Sequence, residues 1–265
     1  MQDIYRKPPE ICKSLTIEEE EFITKDKGTF AEIYKGKIIG HFEKFGYRIR
    51  LAEVSDIEFI NEFISRNYRK DELGDVSYYD LYRFVFYGHG VILENEKGDI
   101  KGCFFEIGYD SYDKISYLIR LVIDKDERGR GFGYNLSLFP SLYGMQRGSN
   151  INRGIFDYDN IHSIYIHLNK IGWAFDDFVS KYKELGSFFN ATFPLSPEGL
   201  LCNRIDNAKL FEYIRNNKDN PKVKLIECHD KESIIEVFKE KDMNVVAVVP
   251  SGLIDKNNYF LALPL

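Results

Sequence analysis

ISYLIRLVIDKDERGRGFGY, residues 115–134, is the stretch on which the fold turns. Its first nine residues are mostly β-branched, aromatic or aliphatic, which predicts a strand over Ile115–Ile123. Four charged residues follow, Asp124 to Glu127, and then Arg128-Gly-Arg-Gly-Phe-Gly133. From Tyr134 onward apolar residues recur at helical spacing. A strand, a glycine-rich turn and a helix bring several backbone N–H groups and the positive end of a helix dipole to one point, which favours a phosphate. Glycines in the turn let phosphate oxygens approach the amides, where a Cβ would hold them off.

The rest of the chain sets bounds. With 265 residues it can bury a substantial core, as one large domain or a domain with a smaller partner. Hydrophobic residues make up 44% and charged residues 29%, the balance of an ordinary globular protein. The 15% aromatic share fits aromatic-rich strands and core better than an apolar substrate tunnel. A net charge of −6 argues against nucleic-acid binding, which uses a basic face, although Arg120, Arg128 and Arg130 form a local basic cluster. Four scattered cysteines, Cys12, Cys103, Cys202 and Cys228, show no metal-ligand spacing and read as free thiols in a reducing compartment. No signal-like N-terminus and no membrane-spanning apolar run are present, so the expected location is cytoplasmic and no membrane partner is expected.

Working outward, Tyr47–Ala52 alternates as a strand and Ile57–Tyr68 carries Ile57, Ile60, Phe63 and Ile64 on one helical face. A second helical stretch, Tyr78–Tyr87, follows Gly74, and Tyr109–Lys114 is a polar link. Gly90–Asn95 and Ile100–Ile107 form a hairpin about Lys97-Gly98-Asp99. Ser14–Phe22 reads either as a short acidic helix, with Thr16 or Ser14 as N-cap, or as a solvated charge run, and Thr29–Ile39 reads as two short strands turning at Lys35-Gly36. Tyr134–Tyr143 is helical, kinked or restarted at Pro140. Arg153–Asp157 and Val245–Val249 read as strands, and Ser163–Ile171 as a helix ended by Gly172. The expected division is an N-terminal, β-rich extension (1–46), a central domain (47–185) and a C-terminal αβ extension (186–265).

The glycine turn is not a dinucleotide fingerprint, because Gly133 follows Gly131 too soon, and no Gly-Lys-Ser/Thr makes it a Walker loop. It does fit Arg/Gln-x-x-Gly-x-Gly/Ala, and with its surroundings it resembles the GNAT superfamily of acetyl-CoA-dependent N-acyltransferases. The strand and helix at 47–64, the hairpin at 90–107, the strand at 115–123 and the helix after the loop stand in that family's order. Asn160-Ile-His-Ser163 and Lys170-Ile-Gly-Trp173 are similar to its closing pattern. The resemblance covers about residues 47–180. It implies an α+β fold, a GNAT-like central mixed β-sheet flanked by helices.

The resemblance also implies roles. The pyrophosphate of acetyl-CoA would meet the amides of Gly129, Arg130, Gly131, Phe132, Gly133 and Tyr134, with Arg128 and Arg130 adding charge. Leu121, Val122 and Ile123 would offer main-chain hydrogen bonds to the pantetheine arm. Asn160 would approach the thioester end, or else simply cap the helix after it. No metal is expected. A protonated alkylamine has a pKa near ~10, so a base or a desolvating pocket must remove its proton before it attacks. Glu106 is the leading carboxylate for this, with His89 behind it; a solvent-facing strand residue is the plain alternative for Glu106. The segment from Asn160 to Gly172 is one residue longer than the family spacing, so the slot of its usual proton-donating Tyr falls on His167 or Leu168. His167 is the candidate acid, and its alternative is a surface or capping histidine.

The expected activity is transfer of an acetyl group from acetyl-CoA to a primary amine of a small molecule: an amino sugar, an amino acid or a polyamine. Two other readings are longer-chain transfer from acyl-CoA or acyl carrier protein, and a non-catalytic acyl-CoA-binding module. The terminal extensions would wall the acceptor site or form a homodimer contact.

Overall fold

The computed structural model describes residues 7–67, 77–109, 114–179, 186–240 and 243–264. In chain order its elements are α1 (Ile17–Phe22), α2 (Lys27–Glu43), β1 (Tyr47–Leu51), α3 (Ile57–Asn67), α4 (Tyr78–Phe86), β2 (His89–Asn95), β3 (Ile100–Tyr109) and β4 (Ile115–Ile123). There follow α5 (Phe132–Gln146), β5 (Ile151–Asp157), α6 (Ile161–Tyr165), β6 (Ala174–Val179), β7 (Phe188–Pro194), α7 (Pro197–Cys202) and α8 (Asn207–Asn216). The chain ends with β8 (Lys224–Glu227), α9 (Lys231–Lys239), β9 (Met243–Val249) and β10 (Tyr259–Pro264). Tyr68, Gly74 and the link at 110–113 lie outside the described residues.

The chain divides into two compact units, Lys25–Asn152, and Met1–Thr24 together with Arg153–Leu265. These limits differ from the expected boundaries at 46 and 185. In the first unit β1, β2, β3 and β4 are neighbours in that order, each antiparallel to the next. Asn95 Oδ1 accepts the amides of Lys97 and Asp99, and Gly98 takes φ +81°, which closes the expected hairpin between β2 and β3. Alternation sorts the side chains. Ile92, Cys103, Phe105 and Val122 pack with Ile57, Ile60, Phe63, Ile64 and Leu81 of α3 and α4. The opposite sheet face receives α5, and α2 packs on α5 in turn.

The segment expected as two strands, Thr29–Ile39, is part of the long helix α2. Asp26 starts it by accepting the Thr29 amide at 3.0 Å, and Phe30, Ala31, Ile38 and Phe42 are its buried residues. The N-terminal extension is therefore helical, not β-rich. Gly36 and Gly40 would each cost about 1 kcal/mol against Ala, but a Cβ at either would meet nothing, so packing neither requires nor forbids them. Pro140 neither ends α5 nor restarts it: the helix runs on to Gln146, with Leu136, Leu138, Phe139, Leu142 and Met145 all buried. Tertiary burial outweighs the lost backbone bond.

In the second unit, β5, β7 and β6 are neighbours in that order, and β8, β10 and β9 make an antiparallel three-stranded sheet. The strands β7 and β10 and the helix α7 were not anticipated. Thr16 and Glu19 form a reciprocal cap on α1. After α6 the chain continues as a π-helical turn, Ile166–Ile171, which ends at Gly172 with φ +102°. A π turn is how a helix absorbs one added residue. Asn169, fully buried, accepts the Val248 amide at 2.8 Å and donates to the Val248 carbonyl at 2.7 Å, fastening the turn to β9.

Candidate functional site

The loop after β4 lies wholly in the first unit. Asp124 caps a short 3₁₀ turn, Lys125–Glu127, by accepting the Asp126 amide. Burial opposes its charge, yet that amide and the Lys101 ammonium 3.2 Å away hold its carboxyl below the ordinary value. Gly129 and Gly131 both take left-handed backbone, at φ +84° and +76°, where a non-glycine residue is strained. Gly131 is the N-cap of α5, so no side chain caps the first turn. The amides of a first turn have no intrahelical acceptor, and the usual Ser, Thr, Asp or Asn oxygen is missing here. A Cβ on Gly129 or Gly131 would meet nothing within 4 Å, and residues 128–131 are exposed. The space before these amides is open, as a bulky pyrophosphate requires.

Phe132 anchors the loop. It is buried, and its ring packs against His41, Phe42, Phe45 and Tyr47 at centroid distances of 5.0 to 6.3 Å. The start of α5 is thus fixed by aromatic packing. Arg128 Nε donates to the Ile123 carbonyl at 3.3 Å, drawing its guanidinium back toward the strand end. Arg130 Nη1 stands 3.0 Å from Glu127 Oε2 and donates to the Tyr47 hydroxyl at 3.5 Å, so its charge is partly offset within the loop. Burial, and then Glu127, raise the Tyr47 phenol above its ordinary value, which keeps it protonated.

The strand leading in is interrupted. Cys103 faces Val122 and Phe105 faces Ile119, so Arg120 and Leu121 together oppose Phe104 alone. This is a β-bulge, and Arg120 sits in it at φ +62°. The bulge turns the backbone of Arg120 and Leu121 out of the regular ladder, four residues or fewer from the end of β4. No glycine marks it in the sequence.

Glu106 faces His89 across β3 and β2 and is 1% exposed, with Oε2 3.4 Å from His89 Nδ1. The solvent-facing alternative for Glu106 is thereby removed, because α5 covers that sheet face. Asn160 and His167 belong to the other unit. Asn160 caps α6 by accepting the Ser163 amide at 3.1 Å. His167 is buried and donates from Nδ1 to the Ser163 carbonyl at 2.8 Å, beside Phe156 and Trp173. Burial pushes its imidazole down to about 4, against the opposing effect of that hydrogen bond. Burial rules out the surface alternative, and a ring that is neutral at pH 7, with its Nδ1 proton held by a carbonyl, fits a structural role better than the acid role.

A groove of about 880 Å³ opens between α3, the β2–β3 turn and Asp124–Asp126. Its charges are mixed, including Arg66 and Lys125 with the pairs Arg50–Asp56 and Lys101–Asp124, and none of the expected site residues lines it. Among the described residues no cluster of His, Cys, Asp and Glu could hold a metal ion, and no helix is long and apolar enough to cross a membrane.

No family model and no curated protein matches the chain. Solved structures do align with it. A GNAT superfamily phosphinothricin acetyltransferase from Sinorhizobium meliloti, in complex with acetyl-CoA, aligns over 57% of this chain and 89% of its own, at 16% identity and TM-score 0.47. The spermidine N-acetyltransferase of Vibrio cholerae, in complex with CoA and spermine, aligns over 57% and 96%, at 13% identity and TM-score 0.48. The ribosomal-protein-S18-alanine N-acetyltransferase of Escherichia coli aligns over 57% and 94%, at 14% identity and TM-score 0.49. At such identities and scores the functional reading rests on the geometry of this chain.

Proposed function

We propose that the chain is an acyltransferase that takes an acetyl group from acetyl-CoA and delivers it to a primary amine of a small molecule. The observation that carries this reading is the helix α5 opening on an exposed, left-handed glycine, one short loop after a strand that carries a bulge near its end. The pyrophosphate of acetyl-CoA would be held by the amides of residues 129–134, and Arg128 would add positive charge. The pantetheine arm would run along Leu121–Ile123 and hydrogen-bond to the main chain. The bulge at Arg120–Leu121 would direct a backbone N–H at the thioester carbonyl. There it would stabilise the oxyanion that develops as the amine attacks.

Glu106 would take the proton that the amine must lose. Its burial in a low-dielectric surrounding and its place one strand from the bulge support that role over a structural one. Thiol release on mixing the protein with acetyl-CoA and a panel of spermidine, glucosamine and lysine tests the reading. Release that depends on one of these amines supports it; CoA binding without release for any amine favours a non-catalytic acyl-CoA-binding module.

A further inference from the structure

The proton taken by a buried carboxylate must leave before the next turnover. This inference rests on the proposed acetyl-CoA reading and concerns that exit. Leu118 of β4, Glu106 of β3 and His89 of β2 face one another in a single row across the sheet. Side chains paired in this way lie on the same face. Exposure rises from Glu106 to His89: the Glu106 side chain is 1% exposed and the His89 side chain 20%. Glu106 Oε2 is buried and accepts no hydrogen bond, although His89 Nδ1 is 3.4 Å from it.

The histidine is held from the other side by α5. Its ring stacks on Tyr143 at 5.6 Å with an interplanar angle of 10°, and Arg147 Nη1 stands 2.8 Å from Nδ1. From α2, Lys35 Nζ lies 4.5 Å from the centre of the Tyr143 ring. Arg147 carries only N–H donors, so it engages Nδ1 only while that nitrogen bears a lone pair. Glu106 as a carboxylate accepts only, so it engages Nδ1 only while that nitrogen bears a proton. The same atom therefore has one partner for each of its two states.

We infer that His89 is the proton outlet of the reaction, carrying the proton from Glu106 to solvent, with Arg147 holding the emptied imidazole in place. The amine N–H bond breaks and its proton passes to Glu106, while the C–N bond forms and the C–S electron pair leaves with the CoA thiolate. The proton then moves from Glu106 Oε2 to His89 Nδ1, and His89 releases a proton from Nε2 to water. Exchange with water then moves the remaining proton from Nδ1 to Nε2, which frees the Nδ1 lone pair to accept from Arg147, and the thiolate takes a proton from solvent. His89 touches no substrate in this scheme and acts through Glu106.

The test is chemical rescue of His89→Ala, read by thiol release from acetyl-CoA with the amine panel, in a weakly buffered solution. The variant should lose about a hundredfold or more in kcat, the scale of general acid–base contributions, with KM for acetyl-CoA unchanged. Added imidazole should restore kcat in proportion to its concentration, which a role in packing alone would not produce. His89→Gln can still accept from Arg147 but cannot carry a proton, so it should show the same loss and the same rescue if the alanine variant fails to fold. Unaltered kcat in either variant, or a loss that imidazole leaves in place, overturns the outlet while CoA binding by the wild type keeps the parent reading. A wild type that neither binds CoA nor releases thiol overturns both.

Discussion

Asn152 Nδ2 donates to Ser141 Oγ across 2.6 Å, and Ser116 Oγ donates to Asn152 Oδ1, with all three side chains buried. These contacts tie the first residues of β4 to the middle of α5, the two elements between which the glycine loop is strung. Asn152→Ala should cost about 3 kcal/mol, because it takes the acceptor from the buried Ser116 hydroxyl and a donor from the buried Ser141 hydroxyl and leaves a void. Urea unfolding would measure it. Replacing Ser116 and Ser141 by alanine in the same chain should return part of that loss, since no orphaned hydroxyl then remains. A triple variant weaker than the sum of its parts would contradict the network.

Gly131 tests the proposed phosphate cradle most directly. Gly131→Asp places a carboxylate at the N-cap, where it can fold back on the amides that the pyrophosphate would use, and it repels the ligand's charge. Asp tolerates left-handed backbone better than most residues, so the fold should survive. Calorimetric titration with CoA should show a loss of affinity of about a hundredfold, roughly two loop hydrogen bonds to a charged acceptor. Unchanged affinity in a folded Gly131→Asp protein would remove the loop from the site.

What the sequence made legible was local. The strand at Ile115–Ile123 and the glycine turn from Arg128 are written in neighbouring residues, β-branched side chains followed by glycines; the strand formed as expected, and the turn ends at Gly131, because the helix begins at Phe132, two residues before Tyr134. Thr29–Ile39 misled because Ile33, Tyr34, Ile38 and Ile39 favour strands and Gly36 favours a turn, while the helical signal lay outside the segment, in Asp26 and Phe42. The bulge at Arg120 left no trace, because its left-handed residue is an arginine. Glu106 and His167 share a third difficulty. Alternation and helical spacing place a residue on a face, but whether α5 or an aromatic cluster covers that face depends on segments far along the chain.

The bulge gives a prediction with two signs. Left-handed backbone costs an L-residue about 1–2 kcal/mol, while glycine adds about 0.5–1 kcal/mol of unfolded-state entropy. Arg120→Gly should therefore be neutral or stabilising by up to about 1 kcal/mol, apart from contacts its side chain makes. Arg120→Val puts a β-branched residue at the same φ and should destabilise by more than about 1 kcal/mol. Thermal unfolding of the pair would decide: equal midpoints would mean that residue 120 is not left-handed in solution.

His167 sets a pH dependence whose sign can be worked out. Its folded value is pushed down to about 4 by burial, and an unfolded histidine titrates near ~6.5. Between these values the unfolded chain binds the extra proton, so stability falls as pH is lowered from about 6.5 to about 4 and is constant with respect to this group above and below. Going from pH 7 to about 4.5 should remove on the order of 2 kcal/mol by this route. His167→Gln keeps an amide donor for the Ser163 carbonyl and cannot titrate, so its stability should decline less over the same range, although it is lower at pH 7 for the lost ring packing against Phe156 and Trp173. Urea midpoints of both proteins at the two pH values measure the difference, and parallel declines would show that His167 is not held neutral by the fold.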